Sequence, residues 1–152
     1  MDREKVKPNR PVYLAVIGAG AAEADTRARA YAVGQEIARY GGILLCGGLG
    51  GVMGAAAAGA KAAGGISIGI LPGPDRSQAH PDLTYALPTN LGHARNIVLA
   101  HSADALIAVG GGYGTISEAA IGLKLGKPVV GVEPLSWQLA GLQLAPTPQA
   151  AV

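Results

Sequence analysis

GGGYGTISE, residues 110–118, is the stretch of this chain that decides the fold. It follows a short apolar run, Ala105–Val109, which is typical of a buried strand, and it opens an alanine- and leucine-rich run that predicts a helix. Glycines let the backbone approach a ligand closely, and the first N–H groups of a helix point out of its start with the helix dipole behind them. This order of strand, glycine turn and helix predicts an anion-binding loop, with phosphate as its usual ligand.

Two other glycine turns follow apolar runs earlier in the chain. The turn GAG at 18–20 follows VYLAVI at 12–17, and the turn GGLGG at 47–51 follows ILLC at 43–46. The hydrophobic pattern predicts strands and helices in alternation along the rest of the chain. The predicted strands are 12–17, 43–46, 66–71, 83–87, 105–109 and 129–132, and the predicted helices are 25–40, 52–63, 91–101 and 115–125.

This alternation is typical of βαβ units and of a parallel sheet covered by helices on both faces. We therefore predict a single-domain α/β fold with a Rossmann-like, doubly wound, mainly parallel sheet at 11–152, after a flexible N-terminal tail at 1–10. Right-handed crossovers place the carboxyl ends of all the strands at one edge of the sheet. The three glycine turns should meet there, where open α/β sheets bind their ligands.

Composition excludes several classes of protein. A net charge of +2, with only 14% charged residues, is too small and too dispersed to indicate nucleic-acid binding. No apolar run approaches the roughly 20 residues of a membrane span, and the charged N-terminus does not resemble a signal peptide. The single cysteine, Cys46, excludes an intrachain disulfide framework, so we expect a cytoplasmic protein. The three histidines (His80, His93 and His101) lack metal-ligand spacing, and no metal site is expected.

The first glycine turn gives only half of a dinucleotide-binding fingerprint. Gly18 and Gly20 are in place, but Glu23 stands where the third glycine belongs, and Cys46 and Gly47 stand where an acidic residue should bind the ribose. NAD binding is therefore disfavoured. A flexible turn explains Gly18 and Gly20 about as well as a ligand does.

The second turn is a stronger indication of a ligand. GGLGGVMG holds five glycines in eight residues, more than a tight turn needs. Close packing of helix on strand accounts well for Gly54 but poorly for the pair at the start of the turn. We expect ligand contact from the turn glycines, which are Gly47, Gly48, Gly50 and Gly51.

Thr115 and Glu118 admit two interpretations. T-x-x-E at a helix start is a capping box, in which the two side chains bind each other's backbone N–H groups. A carboxylate beside a phosphate loop can instead bind a ribose or act in acid–base chemistry. Arg95, on the helix before the Ala105–Val109 strand, also has two interpretations. Its side chain either lies along the surface in solvent, or neutralises a phosphate and orients Glu118.

Four segments together resemble the LOG-like superfamily. They are GGLGGVMGAAAAGAKAAGG at 47–65, ISIGILPG at 66–73, ARN at 94–96 and SADALIAVGGGYGTISEA at 102–119. This superfamily includes the LONELY GUY phosphoribohydrolases, often mislabelled as lysine decarboxylases, and the molybdenum-cofactor carrier-like proteins. The resemblance covers about residues 12–132.

The resemblance assigns roles to several residues. Arg95 and Glu118 match the catalytic pair of the phosphoribohydrolases, and their phosphate loop is matched by Gly111, Gly112, Gly114 and Thr115. Three positions depart from the signature PGGxGTxxE and its upstream Arg-Lys pair: Gly110 replaces the proline, Asn96 the lysine and Ser117 the second acidic residue. LPGPD at 71–75 is closer to the carrier-like branch.

The resemblance implies two functions. The first is binding of a phosphorylated nucleotide or a molybdopterin-type ligand at the sheet edge; the alternative is hydrolysis of the N-glycosidic bond of a nucleoside 5′-monophosphate. Nothing resembles the lysine site of a pyridoxal-phosphate decarboxylase. Further ligand contacts are expected from Asp75, Asn96 and Met53, although Asp75 could instead cap its loop. The family also implies a homo-oligomer, a dimer or a tetramer.

Overall fold

Strands and helices alternate along the chain in the computed structural model, which describes residues 10–152. The strands are β1 (Tyr13–Gly18), β2 (Ile43–Cys46), β3 (Ile66–Leu71), β4 (Tyr85–Pro88), β5 (Ala105–Val109), β6 (Val129–Val132) and β7 (Gln143–Ala145). The helices are α1 (Ala24–Tyr40), α2 (Gly51–Ala62), α3 (Arg95–Ser102), α4 (Tyr113–Lys124) and α5 (Pro148–Ala151), with a 3-10 turn at Gly92–Ala94 before α3.

The strands form one parallel sheet in the order β4-β3-β2-β1-β5-β6-β7. The chain builds outward from β1 to β4, returns to the centre, and then builds outward on the other side from β5 to β7. The direction reverses between β1 and β5, where Gly18 is in register with Val109. Because crevices of open α/β sheets form where the strand order reverses, the turns after β1 and β5 flank the expected ligand site.

The sheet is covered on both faces, as its apolar strands require. On one face α1 and α2 pack over Val16, Leu44 and Val109, and on the other α3 and α4 pack over Ile17 and Leu106. A chain without phenylalanine fills these layers with Val, Ile, Leu and closely packed alanine helices.

Two glycines explain how closely α1 and α2 approach each other. A Cβ at Gly34 would overlap the carbonyl oxygen of Ala56, and a Cβ at Gly59 would overlap that of Tyr31. The backbones of the two helices are thus in contact at both crossings.

The predicted fold is confirmed, and four strands have the predicted bounds. The strand predicted at 83–87 begins instead at Tyr85, because the N–H of Ser67 donates to the side-chain Oγ1 of Thr84 at 3.0 Å rather than to a backbone carbonyl, and Leu83 packs over Gly69. The helix predicted at 91–101 starts as a 3-10 turn because Gly92 has a φ of +56°. Strand β7 was not predicted.

The predicted flexible tail, apart from Arg10, lies outside the described residues. The Arg10 guanidinium is paired with both carboxylate oxygens of Asp104, at 3.0 and 3.1 Å. Within residues 10–152, no helix combines the length and the apolar character needed to cross a bilayer.

Candidate functional site

The loop between β5 and α4 leaves five consecutive backbone N–H groups without an acceptor among the described residues, those of Gly111 through Thr115. Gly110 and Gly111 both have positive φ, +61° and +94°, and Gly112 is the N-cap of α4. These conformations turn the chain sharply from the strand into the helix. The unbonded N–H groups and the start of the helix dipole therefore lie at the point where the strand order reverses, as in an anion-binding loop.

The capping-box interpretation is wrong. Helix α4 begins at Tyr113, so Thr115 lies inside its first turn rather than before it, and no side chain of the described residues caps the N-terminus. Thr115 is 3% exposed and packs beneath the loop, where a Cβ on Gly111 would overlap its hydroxyl oxygen. Glu118 is thereby left without a capping role.

Arg95, the first residue of α3, reaches across the sheet edge to the ends of two strands. Its Nη1 donates to the carbonyl oxygen of Ile70 at 2.8 Å and to that of Gly47. Its Nε donates to the Oδ1 of Asn96 at 3.0 Å. The guanidinium is therefore held in place by the fold and does not extend into solvent. Asn96, which was expected to touch ligand, orients Arg95.

Glu118 lies one turn after Thr115 on α4, and its carboxyl group is largely buried. Burial raises the pKa of its carboxyl group to about 7, and the nearby positive charge of Arg95 opposes this rise. Burial also lowers the pKa of Arg95, while Glu118 raises it. The two side chains interact across the site without an ion pair within 4.0 Å. A carboxyl group with this pKa exists in both protonation states near neutral pH.

The fold itself explains several glycines of the first two turns. A Cβ at Gly47 would lie 2.7 Å from Nη1 of Arg95 and would overlap the sulfur of Met53. A Cβ at Gly18 would lie 2.6 Å from the Cβ of Val52. Close packing explains two further glycines in the same way. A Cβ at Gly48 would overlap the side chain of Leu71, and a Cβ at Gly51 would overlap the carbonyl oxygen of Ala19.

Four predicted glycines have no such explanation. Among residues 10–152, a Cβ at Gly112 or Gly114 would meet no atom within 4 Å, and the nearest atoms to Gly20 and Gly50 are at 3.8 and 3.5 Å. All four lie on the rim of the site. Packing within the chain does not require glycine at these positions, and the open space before them lets a ligand approach the backbone.

Three other residues considered in the sequence have structural roles. The N–H of Ser77 donates to Oδ1 of exposed Asp75 at 2.9 Å, and hydrogen bonds from Ser77 lower the pKa of Asp75. Asp75 thus makes a loop-capping contact, and its contact with a ligand stays a prediction. Met53, on α2, is buried in the core and packs against Gly47. Cys46 is fully buried, which raises the pKa of its thiol to about 11. It packs as a small apolar residue.

Sequence reasoning missed one residue at the loop. Nε1–H of Trp137 donates to the carbonyl oxygen of Gly110 at 3.0 Å. Trp137 lies after β6 and is 9% exposed. No motif marks it, although the only tryptophan of a chain so poor in aromatic residues is a signal in itself.

The cavities and metal-ligating side chains of the described residues give little further indication of a ligand at this edge. A depression of about 120 Å³ lies between the second glycine turn and LPGPD, lined by Leu49, Leu71 and Gln78. It is smaller than the roughly 300–1,000 Å³ of typical small-molecule sites and can hold only part of a ligand. A larger cavity, about 550 Å³, lies at the opposite, amino-terminal ends of β5 and β6. Residues 10–152 contain no group of three metal-ligating side chains.

The fold and this edge define a Rossmann-like α/β protein whose loop after β5 presents a row of unbonded backbone N–H groups. The SLOG cluster4 family model matches residues 11–149, and the chain belongs to that family. This confirms the expected membership of the LOG-like superfamily.

Similar proteins include one from Archaeoglobus fulgidus, 49% identical over 93% of this chain and 92% of its own. The molybdenum cofactor binding protein from the phototrophic bacterium Rippkaea orientalis is 36% identical over 94% of each chain, with a TM-score of 0.88. The Moco carrier protein from Chlamydomonas reinhardtii is 37% identical over 93% of each chain, with a TM-score of 0.82.

Proposed function

We propose that this protein binds a phosphorylated pterin of the molybdopterin type and holds it without turnover, as a carrier. The observation that carries the proposal is the row of five unbonded N–H groups from Gly111 to Thr115, at the point where the strand order reverses. Support comes from two relatives above 30% identity, one a molybdenum cofactor binding protein and the other a Moco carrier protein.

The phosphate group would accept hydrogen bonds from these N–H groups. Charge-assisted bonds of this kind are roughly twice as strong as neutral ones. Arg95 adds a positive charge that its bonds to Gly47 and Ile70 hold in place, so little side-chain entropy is lost on binding. The rim glycines, Gly20 and Gly50 on one side and Gly112 and Gly114 on the other, leave space for the rest of the ligand.

Glu118 fits an anionic ligand because of its raised pKa. Near pH 7 a large fraction of this carboxyl group is protonated, so it can donate a hydrogen bond to a ligand oxygen or ring nitrogen. A phosphate bound nearby would raise the pKa further, and we expect binding to take up protons between pH 7 and 8.

The test is direct loading with molybdenum cofactor under anaerobic conditions. The protein is passed through a desalting column, and the retained molybdenum and the fluorescence of the oxidised pterin are measured. We expect close to one equivalent for the wild type and a large loss for Gly112→Val, which fills the open space over the loop. Ala120→Val is the matched control, because Ala120 is exposed on α4, the helix whose N-cap is Gly112. No retention by the wild type would contradict the carrier proposal.

The second candidate is a phosphoribohydrolase, favoured by Glu118 itself. A carboxyl group with a pKa of about 7 that interacts with a fixed arginine is suited to general acid–base chemistry. Water would add to C1′ of a nucleoside 5′-monophosphate as the bond to the base breaks, and the base would leave with a proton. Glu118 would accept the proton from water or stabilise the developing positive charge on the ribose.

A panel of nucleoside 5′-monophosphates separates the two candidates. Release of free base that disappears in Glu118→Gln would contradict the carrier proposal and support the hydrolase. If the wild type retains the pterin ligand and releases no base, the hydrolase is excluded for these substrates.

We further propose that the protein self-associates through the exposed part of the face that carries α3. Tyr85 is 60% exposed and Leu87 48%, and both lie on the same face of the sheet as Ile68 and Ile70 of β3. The side chains of Tyr85 and Leu87 carry no charge and can meet their own copies, because symmetric dimers use one patch twice. The expected result is a sedimentation mass above that of the 15.1 kDa monomer, reduced to the monomer by Tyr85→Lys with Leu87→Lys. A monomeric wild type would contradict self-association.

A further inference from the structure

We propose that Trp137 is a positioning residue, which orients the Gly110–Gly111 peptide so that the loop presents N–H groups to the anion. Its indole donates to the carbonyl oxygen of Gly110 at 3.0 Å. The ring is 9% exposed and packs with Leu135, Leu139 and Leu142 in the core under α3 and α4. The proposal rests on the proposed function, since it assumes that the loop binds an anion.

The orientation follows from the planarity of the peptide bond. In a trans peptide the carbonyl of Gly110 and the N–H of Gly111 point in opposite directions. Because Trp137 binds the carbonyl on the core side, the N–H of Gly111 points away from the core, toward the open rim.

A residue is needed for this task because glycine occupies both sides of that peptide. Gly110 and Gly111 have φ of +61° and +94°, and glycine adopts either sign of φ at similar energy. Without the indole N–H, the peptide can rotate and direct its carbonyl oxygen at the anion. A carbonyl dipole in that place repels phosphate where an N–H would bind it.

The same hydrogen bond makes Trp137 a reporter of the loop. An anion on the N–H of Gly111 polarises that peptide and strengthens its carbonyl as an acceptor for the indole. Because the chain has one tryptophan, its fluorescence arises from this single position. We expect the emission of Trp137 to change when AMP binds. The change should saturate at the same AMP concentration as the heat measured by calorimetric titration.

The experiment compares Trp137→Phe with Leu139→Ala. Trp137→Phe removes the indole N–H donor and keeps an aromatic ring. Leu139→Ala removes an apolar side chain from the same segment between β6 and β7 and keeps the indole N–H. With AMP and inorganic phosphate as probes, we expect about fivefold to tenfold weaker binding for Trp137→Phe, the effect of one lost hydrogen bond, and no more than about a twofold change for Leu139→Ala. Thermal unfolding of both variants measures the purely structural effect.

A second readout needs no ligand. Rotation of the freed peptide should broaden the amide resonances of Gly111 and Gly112 in relaxation-dispersion NMR of Trp137→Phe, and not in the wild type or in Leu139→Ala. Wild-type affinity in Trp137→Phe, or unbroadened amides in that variant, would overturn the positioning role. Broadened amides in Trp137→Phe in a protein whose wild type retains no molybdenum cofactor in the loading test would support the positioning role and contradict the proposed function.

Discussion

The two richest glycine turns, 47–51 after β2 and 110–114 after β5, look alike in sequence and differ in structure. In the first, side chains or backbone of the same chain occupy the space beside Gly47, Gly48 and Gly51, and the N–H of Val52 in the first turn of α2 already bonds Ala19 at 3.0 Å. In the second, the space beside Gly112 and Gly114 is open, and the N–H groups without an acceptor among the described residues run from Gly111 through Thr115, against the shorter run from Leu49 through Gly51 in the first turn.

The difference separates two uses of glycine at one sheet edge. The first turn uses glycine to let α2, Arg95 and Leu71 pack closely, so it builds the floor of the site. The second turn uses glycine to expose backbone donors, so it forms the part that would bind phosphate. A glycine-rich turn after a strand therefore indicates a ligand only where the chain itself leaves the turn open.

The largest expected effect is on stability, from a matched pair of Gly→Ala substitutions. Gly47→Ala places a methyl group against Met53 and 2.7 Å from Nη1 of Arg95, and we expect it to lower the free energy of unfolding. Overpacking of this kind costs about 1–3 kcal/mol. The methyl group of Gly114→Ala meets no atom of the described part of the chain within 4 Å, and we expect it to stabilise α4 by roughly 0.5–1 kcal/mol. Urea denaturation measures both, and equal losses in the two variants would remove the distinction between the turns.

The next largest effect is on affinity, from Arg95→Gln. The substitution removes the positive charge that the floor of the site holds beside the loop, and we expect AMP to bind about tenfold to hundredfold more weakly, the effect of losing a charge-assisted contact. Calorimetry measures the change, with Arg76→Gln as a control because Arg76 is exposed on the Asp75 loop. Unchanged affinity in Arg95→Gln would separate Arg95 from the site.

A pH effect of intermediate size follows from Glu118. Its pKa rises from 4.5 to about 7 on folding, so the native state binds more protons than the unfolded state between these values. Stability should therefore fall as pH rises from 4.5 through 7, by at most ~1.4 kcal/mol per pH unit. Glu118→Gln has no charge to bury, and its advantage over the wild type should grow across this range in thermal unfolding. A constant difference would mean that Glu118 titrates at its ordinary pKa.

The smallest expected effect comes from Asp75→Ala. The residue is exposed, and within the described part of the chain it bonds only to Ser77 in its own loop. We expect a change within about ±0.5 kcal/mol in unfolding, as for most surface substitutions, and unchanged AMP affinity. A clear loss of affinity would extend the site along the LPGPD loop.

The fold was predictable because apolar runs, glycine turns and helix patterns repeat in βαβ order, and parallel topology then brings the turns to one edge. Strand β7 was not, because its three residues carry no alternation and only Ala145 is buried. The start of α4 was misplaced because Thr115 imitates a cap, while Gly112 at the true start has no side chain to recognise.

Other features of the site depend on residues far apart in sequence. Part of the requirement for glycine at 47 comes from Arg95, 48 residues later, and the carbonyl of Gly110 accepts a hydrogen bond from Trp137, 27 residues later. Local patterns contain no trace of such contacts. The raised pKa of Glu118 likewise depends on burial, which only the packed structure defines.

The most direct test of the anion site is a map of backbone amide shifts in 15N-labelled protein during titration with AMP. We expect the amides of Gly111 through Thr115 to move together and to saturate, while those of Gly48 through Gly51 move little. Shifts centred on 48–51 with the α4 amides unmoved, or saturable binding that shifts neither turn, would contradict an anion site on the loop after β5.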